Sequence, residues 1–307
     1  MPSASVSVPA TSANLGPGYD SFGLALGLHN RFSAQPAEEW AVEIVGEGSD
    51  VLATDGTNRV ARAMARVFQE NGEPGRCAHI FCVNRIPPGR GLGSSAAALV
   101  GGMLLADALS EVPLGKHRIF EMATEMEGHP DNAAAALFGG LTLSWDDDGP
   151  RCVMVEPRGG LAVVVVTGAN SLPTEESRAL LPQSVPHADA AFNAARAGLL
   201  VAGLVLGRED LLAPGLADRL HQQYRAMAIP DFDAVRTVLL DAGAAGVVLS
   251  GAGPALIGLV AGTDDDAAFL AAREVARRAE GGIAALAERG TPAALRIDRA
   301  GAVVSLA

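Results

Sequence analysis

The sequence predicts an α+β protein built as two domains, and three observations carry that prediction. The chain has 307 residues, twice the length of a domain of about 150 residues. Its first half arranges strand-like stretches around a glycine-rich loop that opens an alanine-rich helix. Its second half, reduced to strands and long helices, reads β-α-β-β-α-β, the split pattern of a ferredoxin-like domain.

The elements follow in order. Residues 3–8, SASVSV, alternate polar and apolar as a half-buried strand does. After a loop rich in Gly, Pro and Asn, strand-like sequence returns at 22–33 and 40–45. In NRVARAMARVFQE (58–70) the apolar positions recur at helical spacing and stop at Asn71-Gly72. HIFCVN (79–84) reads as a strand, and helices follow from Ser94 to about Ser110, over 116–127 and from near Pro130. Strands at 140–145 and 152–156 flank a charged hairpin tip, DDDGPR. LAVVVV (161–166), the longest strongly apolar stretch, is far too short to span a bilayer and reads as a buried strand. Helices are expected near 174–181, 187–206, 208–213 and 231–241, inserted after that strand. Strands at 246–250 and 255–260 then enclose the turn GAGP, followed by a helix at 265–280 and a strand at 293–298. The domain boundary falls near EPRGG (156–160), with no low-complexity linker, so the halves should pack tightly.

Composition excludes several functions. A hydrophobic fraction of 49% with 19% charged residues describes a soluble chain with ample core, its 4% aromatics replaced by Ala and Gly. A net charge of −12 argues against a nucleic-acid track or an anionic membrane surface. A polyphosphate ligand would have to be held by local loop geometry. Cys77, Cys82 and Cys152 show no CxxC or Cys/His ligand spacing and read as reduced thiols of a cytoplasmic protein. The N-terminus lacks the basic start and apolar run of a signal peptide.

Three glycine-rich turns carry the chemistry: TSANLGPGYD (11–20), PPGRGLGSSAA (87–97) and LSGAGPAL (249–256). The second opens a helix, where backbone N–H groups and the helix dipole can hold phosphate oxygens. A tight packing turn before a buried helix would read the same way. The turn is not a Walker loop, because no Lys follows its glycines. It also lacks the βαβ setting and later acid of a dinucleotide fold.

The strings VPATSANLGPGYDSFGLAL, GLGSSAAA, EGHPDNAAAALFGG and LSGAGPAL resemble the signature motifs of the GHMP kinases, small-molecule kinases named for galactokinase, homoserine kinase, mevalonate kinase and phosphomevalonate kinase. Within that superfamily they are similar to the homoserine kinase branch, over most of the chain. The resemblance implies a two-domain GHMP kinase fold with the active site between the domains. Residues 1–158 would form an N-terminal S5-domain-2-like α/β domain that binds ATP, and residues 159–307 a C-terminal ferredoxin-like domain. It further implies transfer of the ATP γ-phosphate to the side-chain hydroxyl of L-homoserine, a step in threonine biosynthesis, with Mg²⁺ as cofactor. A homodimer is compatible with it.

The resemblance also assigns residues. Pro88, Gly89, Arg90, Gly91, Leu92, Gly93, Ser94 and Ser95 would wrap the ATP phosphates, with Ser94 as a helix cap and the Ser95 hydroxyl near Mg²⁺. A plain N-cap is the alternative for either serine. The metal carboxylate would come from the segment before HPDN, which offers Glu121, Glu125 and Glu127; Glu127 is favoured, then Glu125. Asn58 would face the adenine side or act only as a helix cap, and Ser250, Gly251 and Gly253 would buttress the phosphate loop.

A zwitterionic amino acid needs an anion for its ammonium and cations for its carboxylate. Asp20 is the ammonium candidate and Asn14 a polar clamp. Thr174 and Arg178 stand one helical turn apart, and Arg225 supplies a second guanidinium for the carboxylate. Asn132 would touch the reacting end, and Asp131 is either a catalytic base or a cap. His129 reads as structural. Two rivals stand beside this reading: a GHMP kinase for another small alcohol such as threonine, and a non-catalytic metabolite sensor.

Overall fold

The computed structural model describes residues 3–158, 160–171 and 173–306; Gly159, at the expected domain boundary, lies outside them. The first domain comprises β1 (Ala4–Ala13), β2 (Phe22–Ala37), β3 (Ala41–Gly46), α1 (Arg59–Glu70), β4 (Cys77–Asn84), α2 (Ser94–Leu109), α3 (Lys116–Glu127), α4 (Asp131–Phe138), β5 (Leu141–Asp146) and β6 (Pro150–Val155). The second comprises β7 (Gly160–Val166), α5 (Thr174–Ala179), α6 (His187–Leu206), a 3₁₀ turn (Glu209–Leu211), α7 (Leu212–Gly215), α8 (Gln222–Ala226), α9 (Phe232–Asp241), β8 (Gly246–Leu249), β9 (Leu256–Gly262), α10 (Asp265–Ala284), β10 (Ala293–Arg296) and β11 (Val303–Leu306).

The first sheet has strand order β11-β1-β2-β4-β3, with β5 on β2 and β6 on β5. β2 is long enough to pair its second half with β4 and its first residues with β5. β1 continues well past the expected strand at 3–8, because β2 pairs with it as far as Ala13↔Gly23. Pro9 is tolerated there because the register shifts between Pro9 and Ala10, a bulge that needs no ladder donor. α2 packs on β1 and between α1, α3 and α4, and is buried nearly all round. Two of its glycines allow that fit. A Cβ on Gly101 would enter the Phe32 ring, and one on Gly102 the carbonyl of Val60 in α1.

The second sheet is antiparallel with order β10-β7-β9-β8, the ferredoxin-like order. β7 is buried on both faces. Ala162, Val164 and Val166 join the core formed with α9 and α10, while Leu161, Val163 and Val165 join a core continuous with that of the first domain. One strand therefore serves both cores, which is why no linker is needed. Two elements were not expected from the sequence, α8 and β11. β11 leaves the second domain and pairs antiparallel with β1, Ala4 opposite Leu306. The segment expected as one helix at 208–213 divides into the 3₁₀ turn and α7. Among the described residues, α6 is long and apolar enough to cross a bilayer by length and composition, so it exceeds 161–166 as an apolar stretch. Arg196 on this helix bonds the Pro214 carbonyl, and Asp189 bonds Arg219.

Candidate active site

The three glycine-rich turns converge. Thr11 N–H donates to the Leu92 carbonyl (3.1 Å), the Ser250 hydroxyl to the Gly91 carbonyl (2.6 Å), and Ala255 N–H to the Arg90 carbonyl (3.3 Å). Three successive loop carbonyls are thus tied back to the body of the protein. Gly91 and Gly93 have positive φ, +77° and +69°. A Cβ at Gly91 would strike the Ser250 carbonyl, and one at Gly93 the Thr11 hydroxyl. α2 begins with Gly93 as its N-cap and has no side-chain cap. Ser94 is therefore the first helical residue and not the cap expected of it. The uncapped N-terminus of a buried helix presents N–H groups and positive dipole to an anion.

Two cavities flank the loop and share Gly89, Ser94 and Ser95. One, of about 360 Å³, is walled by Phe32, Ile44, Leu52 and Val60 with Pro88 at its edge, and is sized for a flat apolar ring system. Asn58 lines it, yet its carbonyl oxygen accepts from Val60 N–H (2.9 Å) and its amide donates to the Ala53 carbonyl (2.6 Å). It caps α1 and borders the cavity at once. The other, of about 110 Å³, is lined by Asn14, Asp20, Glu127, Asp131, Asn132, Thr174, Arg178 and Arg225, among others. Arg90 also lines it, with one guanidinium nitrogen buried and unpartnered. A larger groove beside α8 and α9 contains none of the expected site residues.

The carboxylate candidates separate in space. The Ser95 hydroxyl contacts both Glu127 oxygens (2.7 and 2.8 Å), and the Glu127 side chain is 10% exposed. Glu125 instead lies on the outer face, beside Arg66 and Arg118, and Glu121 pairs with Arg118. Only Glu127 of the three lines the cavity. Arg59, which the sequence reading passed over, bonds both Ser95 and Glu127.

The opposite wall is built for a zwitterion. Arg178 grips Asp20 bidentately (2.5 and 3.0 Å) and donates to the Tyr19 hydroxyl (2.8 Å). The guanidinium groups of Arg178 and Arg225 lie 5.6 and 5.4 Å from the centre of the Tyr19 ring. Burial, then the Asp20 charge, raises its phenol above the ordinary value, so it stays protonated. Arg225 is 2% exposed; it donates to the Gly251 carbonyl (3.0 Å) and its Nε has no partner. His221 is fully buried and bonds the Gly16 carbonyl through Nε2 (2.8 Å), which leaves Nδ1 to face Arg225 at 3.3 Å. Burial pushes this imidazole down, so it is neutral and accepts from the guanidinium. Asn14 spends both ends of its amide on protein: it accepts from Asp20 N–H (3.0 Å) and donates to the Gly251 carbonyl (3.1 Å). Its φ of +70° and that of Asp20, +54°, show a turn held in the left-handed region to aim Asp20.

At the closed end, Asp131 is 1% exposed and its Oδ1 accepts from His129 Nδ1 and Asn132 N–H, both at 2.7 Å. Burial alone would lower the His129 imidazole, but the bond to Asp131 and the charges of Asp131 and Glu127 outweigh it and hold it above its ordinary value. Asn132 accepts from the Thr11 hydroxyl (2.7 Å), which pins α4 to β1, the strand whose Thr11 N–H also holds the Leu92 carbonyl of the phosphate loop. Tyr19, Thr11 and His221 were not singled out from sequence, although Tyr19 stands beside Asp20 in the first motif. The Ser177 hydroxyl bonds the Ala252 carbonyl (3.1 Å) and ties α5 to the third turn.

The family models for the GHMP kinase N-terminal and C-terminal domains match residues 58–140 and 200–281. A homoserine kinase of Streptomyces avermitilis is 46% identical over 83% of this chain and 84% of its own length. The chain belongs to the homoserine kinases. A homoserine kinase of Leifsonia xyli is 43% identical over 98% of the chain and 92% of its own length. A solved homoserine kinase from Cytophaga hutchinsonii superposes with a TM-score of 0.85 at 26% identity, covering 99% of this chain and 97% of that one. A mevalonate kinase structure, at 13% identity and a TM-score of 0.70, shares the fold. The chain thus has the two-domain GHMP kinase fold, of α+β class.

Proposed function

We propose that this cleft transfers the terminal phosphoryl group of ATP to the side-chain hydroxyl of L-homoserine, giving O-phospho-L-homoserine on the way to threonine. One observation carries the assignment of the acceptor. A carboxylate (Asp20), an exposed-side guanidinium (Arg178) and a buried one (Arg225) meet in one small cavity that opens onto the phosphate loop. That set complements an amino acid's adjacent ammonium and carboxylate. It does not complement a neutral sugar.

In this reading the adenosine fills the cavity walled by Phe32 and Ile44, and the phosphates lie along Gly89–Ser95. The substrate carboxylate engages Arg225 and Arg178, and its ammonium takes over one oxygen of Asp20. Thr174 and Asn14 complete the wall, and Asn132 orients the hydroxyl. A bond forms from that oxygen to the terminal phosphorus as the phosphorus–oxygen bond to ADP breaks. The transition state is loose, so positioning and charge neutralisation dominate. Asp131, adjacent to Asn132, would receive the hydroxyl proton, and it holds Asn132 and His129 in place meanwhile. The donor set of Glu127 and the Ser95 hydroxyl is two hard oxygens beside a phosphate site, which fits Mg²⁺. Bound there, the ion would neutralise charge on the transferring group. We further propose residues 1–158 as the ATP-binding unit and 159–307 as the second unit, with β11 returned to the first sheet. We place the enzyme in the cytoplasm, where Cys77, Cys82 and Cys152 remain thiols; burial pushes Cys82 up to about 12 and Cys152 to about 11.

The deciding experiment is a coupled ADP-release assay with homoserine, threonine, homoserine amide or buffer alone. Turnover with homoserine well above the other three is expected. Turnover with threonine at the homoserine rate would reassign the acceptor.

A further inference from the structure

Arg59 is the first residue of α1 and lines the nucleoside-side cavity, yet its guanidinium lies on the Ser95–Glu127 pair. It donates to the Ser95 hydroxyl oxygen and, at 3.1 Å, to Glu127 Oε2. The Ser95 hydroxyl thereby accepts from Arg59 while it donates its proton to Glu127. Glu127 is 10% exposed and Arg59 48%. A carboxylate so far withdrawn from water, at the mouth of a loop shaped for anions, has a guanidinium in direct contact with it. The guanidinium sits on oxygens of Ser95 and Glu127 that would also hold Mg²⁺, so the two cations exclude each other there. Arg59 is also the partner able to leave: its side chain is long and half in water, so its guanidinium regains hydration when it withdraws.

We infer that Arg59 is a positioning residue, the counter-ion that keeps Glu127 and Ser95 paired and aimed before the nucleotide and its metal arrive, and that it gives way to the divalent ion when they do. The inference rests on the nucleotide-loop reading above and concerns a residue outside the glycine-rich motifs. In the absence of a divalent ion, Arg59 is what stops Glu127 from repelling the nucleotide phosphates. With the ion bound, that duty passes to the metal.

Calorimetric titration with ADP, once in excess EDTA and once in excess Mg²⁺, tests this in the wild type, Arg59→Ala, Arg59→Lys, Glu127→Gln and the Arg59→Ala/Glu127→Gln double variant. Arg59→Ala is expected to weaken metal-free ADP about fivefold more than it weakens ADP with Mg²⁺. Arg59→Lys, which keeps the charge, should restore the wild-type ratio. In the Glu127→Gln background the Arg59 effect on that ratio should vanish, since no charge is left to neutralise. Equal weakening with and without Mg²⁺, in both backgrounds, would make Arg59 an ordinary phosphate ligand and overturn the inference, as would no change in any variant. Wild-type protein that binds ADP under neither condition would sink the nucleotide reading itself.

Discussion

Arg178 and Glu127 show how much a single side chain is asked to do. Removal of Arg178 by substitution with Ala deletes a charge-assisted bond worth roughly 1.5–3 kcal/mol and leaves Asp20 without its bidentate partner. The expected result is a loss of about 10- to 150-fold in kcat/KM for homoserine, with the KM for ATP nearly unchanged, measured by steady-state kinetics. The variant should also discriminate less between homoserine and its amide than the native enzyme does. Glu127→Gln should depress kcat far more than it raises the KM for homoserine, whereas Glu125→Gln, on the outer face beside Arg66 and Arg118, should leave both within about twofold. Asp20, Asn14, Arg225 and Asn132 could be named from the sequence by their side-chain chemistry, and the fold brings all four to one cavity. Arg59, Tyr19 and Thr11 were passed over, although two of them stand in the first motif, because their parts show only in the partners the fold gives them, Glu127, Arg178 and Asn132. Sequence spacing carries no trace of such a pairing.

Among the elements, the phosphate loop is defined by what it packs against as much as by what it binds. Gly93→Ala would force a side chain into the Thr11 hydroxyl at a φ of +69°. A cost of about 1–3 kcal/mol is expected, read as a lower urea midpoint together with weaker ADP binding. Gly72, by contrast, has positive φ but open space around it, so Gly72→Ala should cost about 1 kcal/mol and leave ADP binding alone. Helices with strong periodicity or clear ends, such as 59–70 and 116–127, could be read from sequence to within a residue. α8 could not, because five residues carry too little pattern; it is fixed by Asp218, whose carboxylate accepts from the backbone N–H groups of Leu220, His221 and Gln222. β11 was missed because its four residues are exposed and acquire strand geometry only by pairing with β1.

Over the whole molecule, two histidines set opposite pH limits. His221 is neutral when folded because burial lowers its pKa, whereas the unfolded imidazole takes a proton near pH 6.5. Stability is therefore lost as pH falls below about 6.5, at no more than about 1.4 kcal/mol per pH unit. For His129 the folded pKa is raised, so its contribution is complete below about pH 6.5 and is lost as pH rises through the folded value. Urea midpoints followed across pH should pass through a maximum near neutrality. His221→Gln should flatten the acid limb and His129→Asn the alkaline one. The two-domain α+β plan was legible from strand order, because β-α-β-β-α-β survives the insertion of extra helices. The shared core around β7 was not, since an unbroken valine run looks the same whether it serves one core or two. The pairing of Ala4 with Leu306 has a temporal side as well. At about 5–20 residues per second of synthesis, the outer edge of β1 waits some tens of seconds for its partner strand. Throughout that interval the strand that carries Thr11, and with it one wall of the phosphate loop, has an open edge on which a second nascent chain could template.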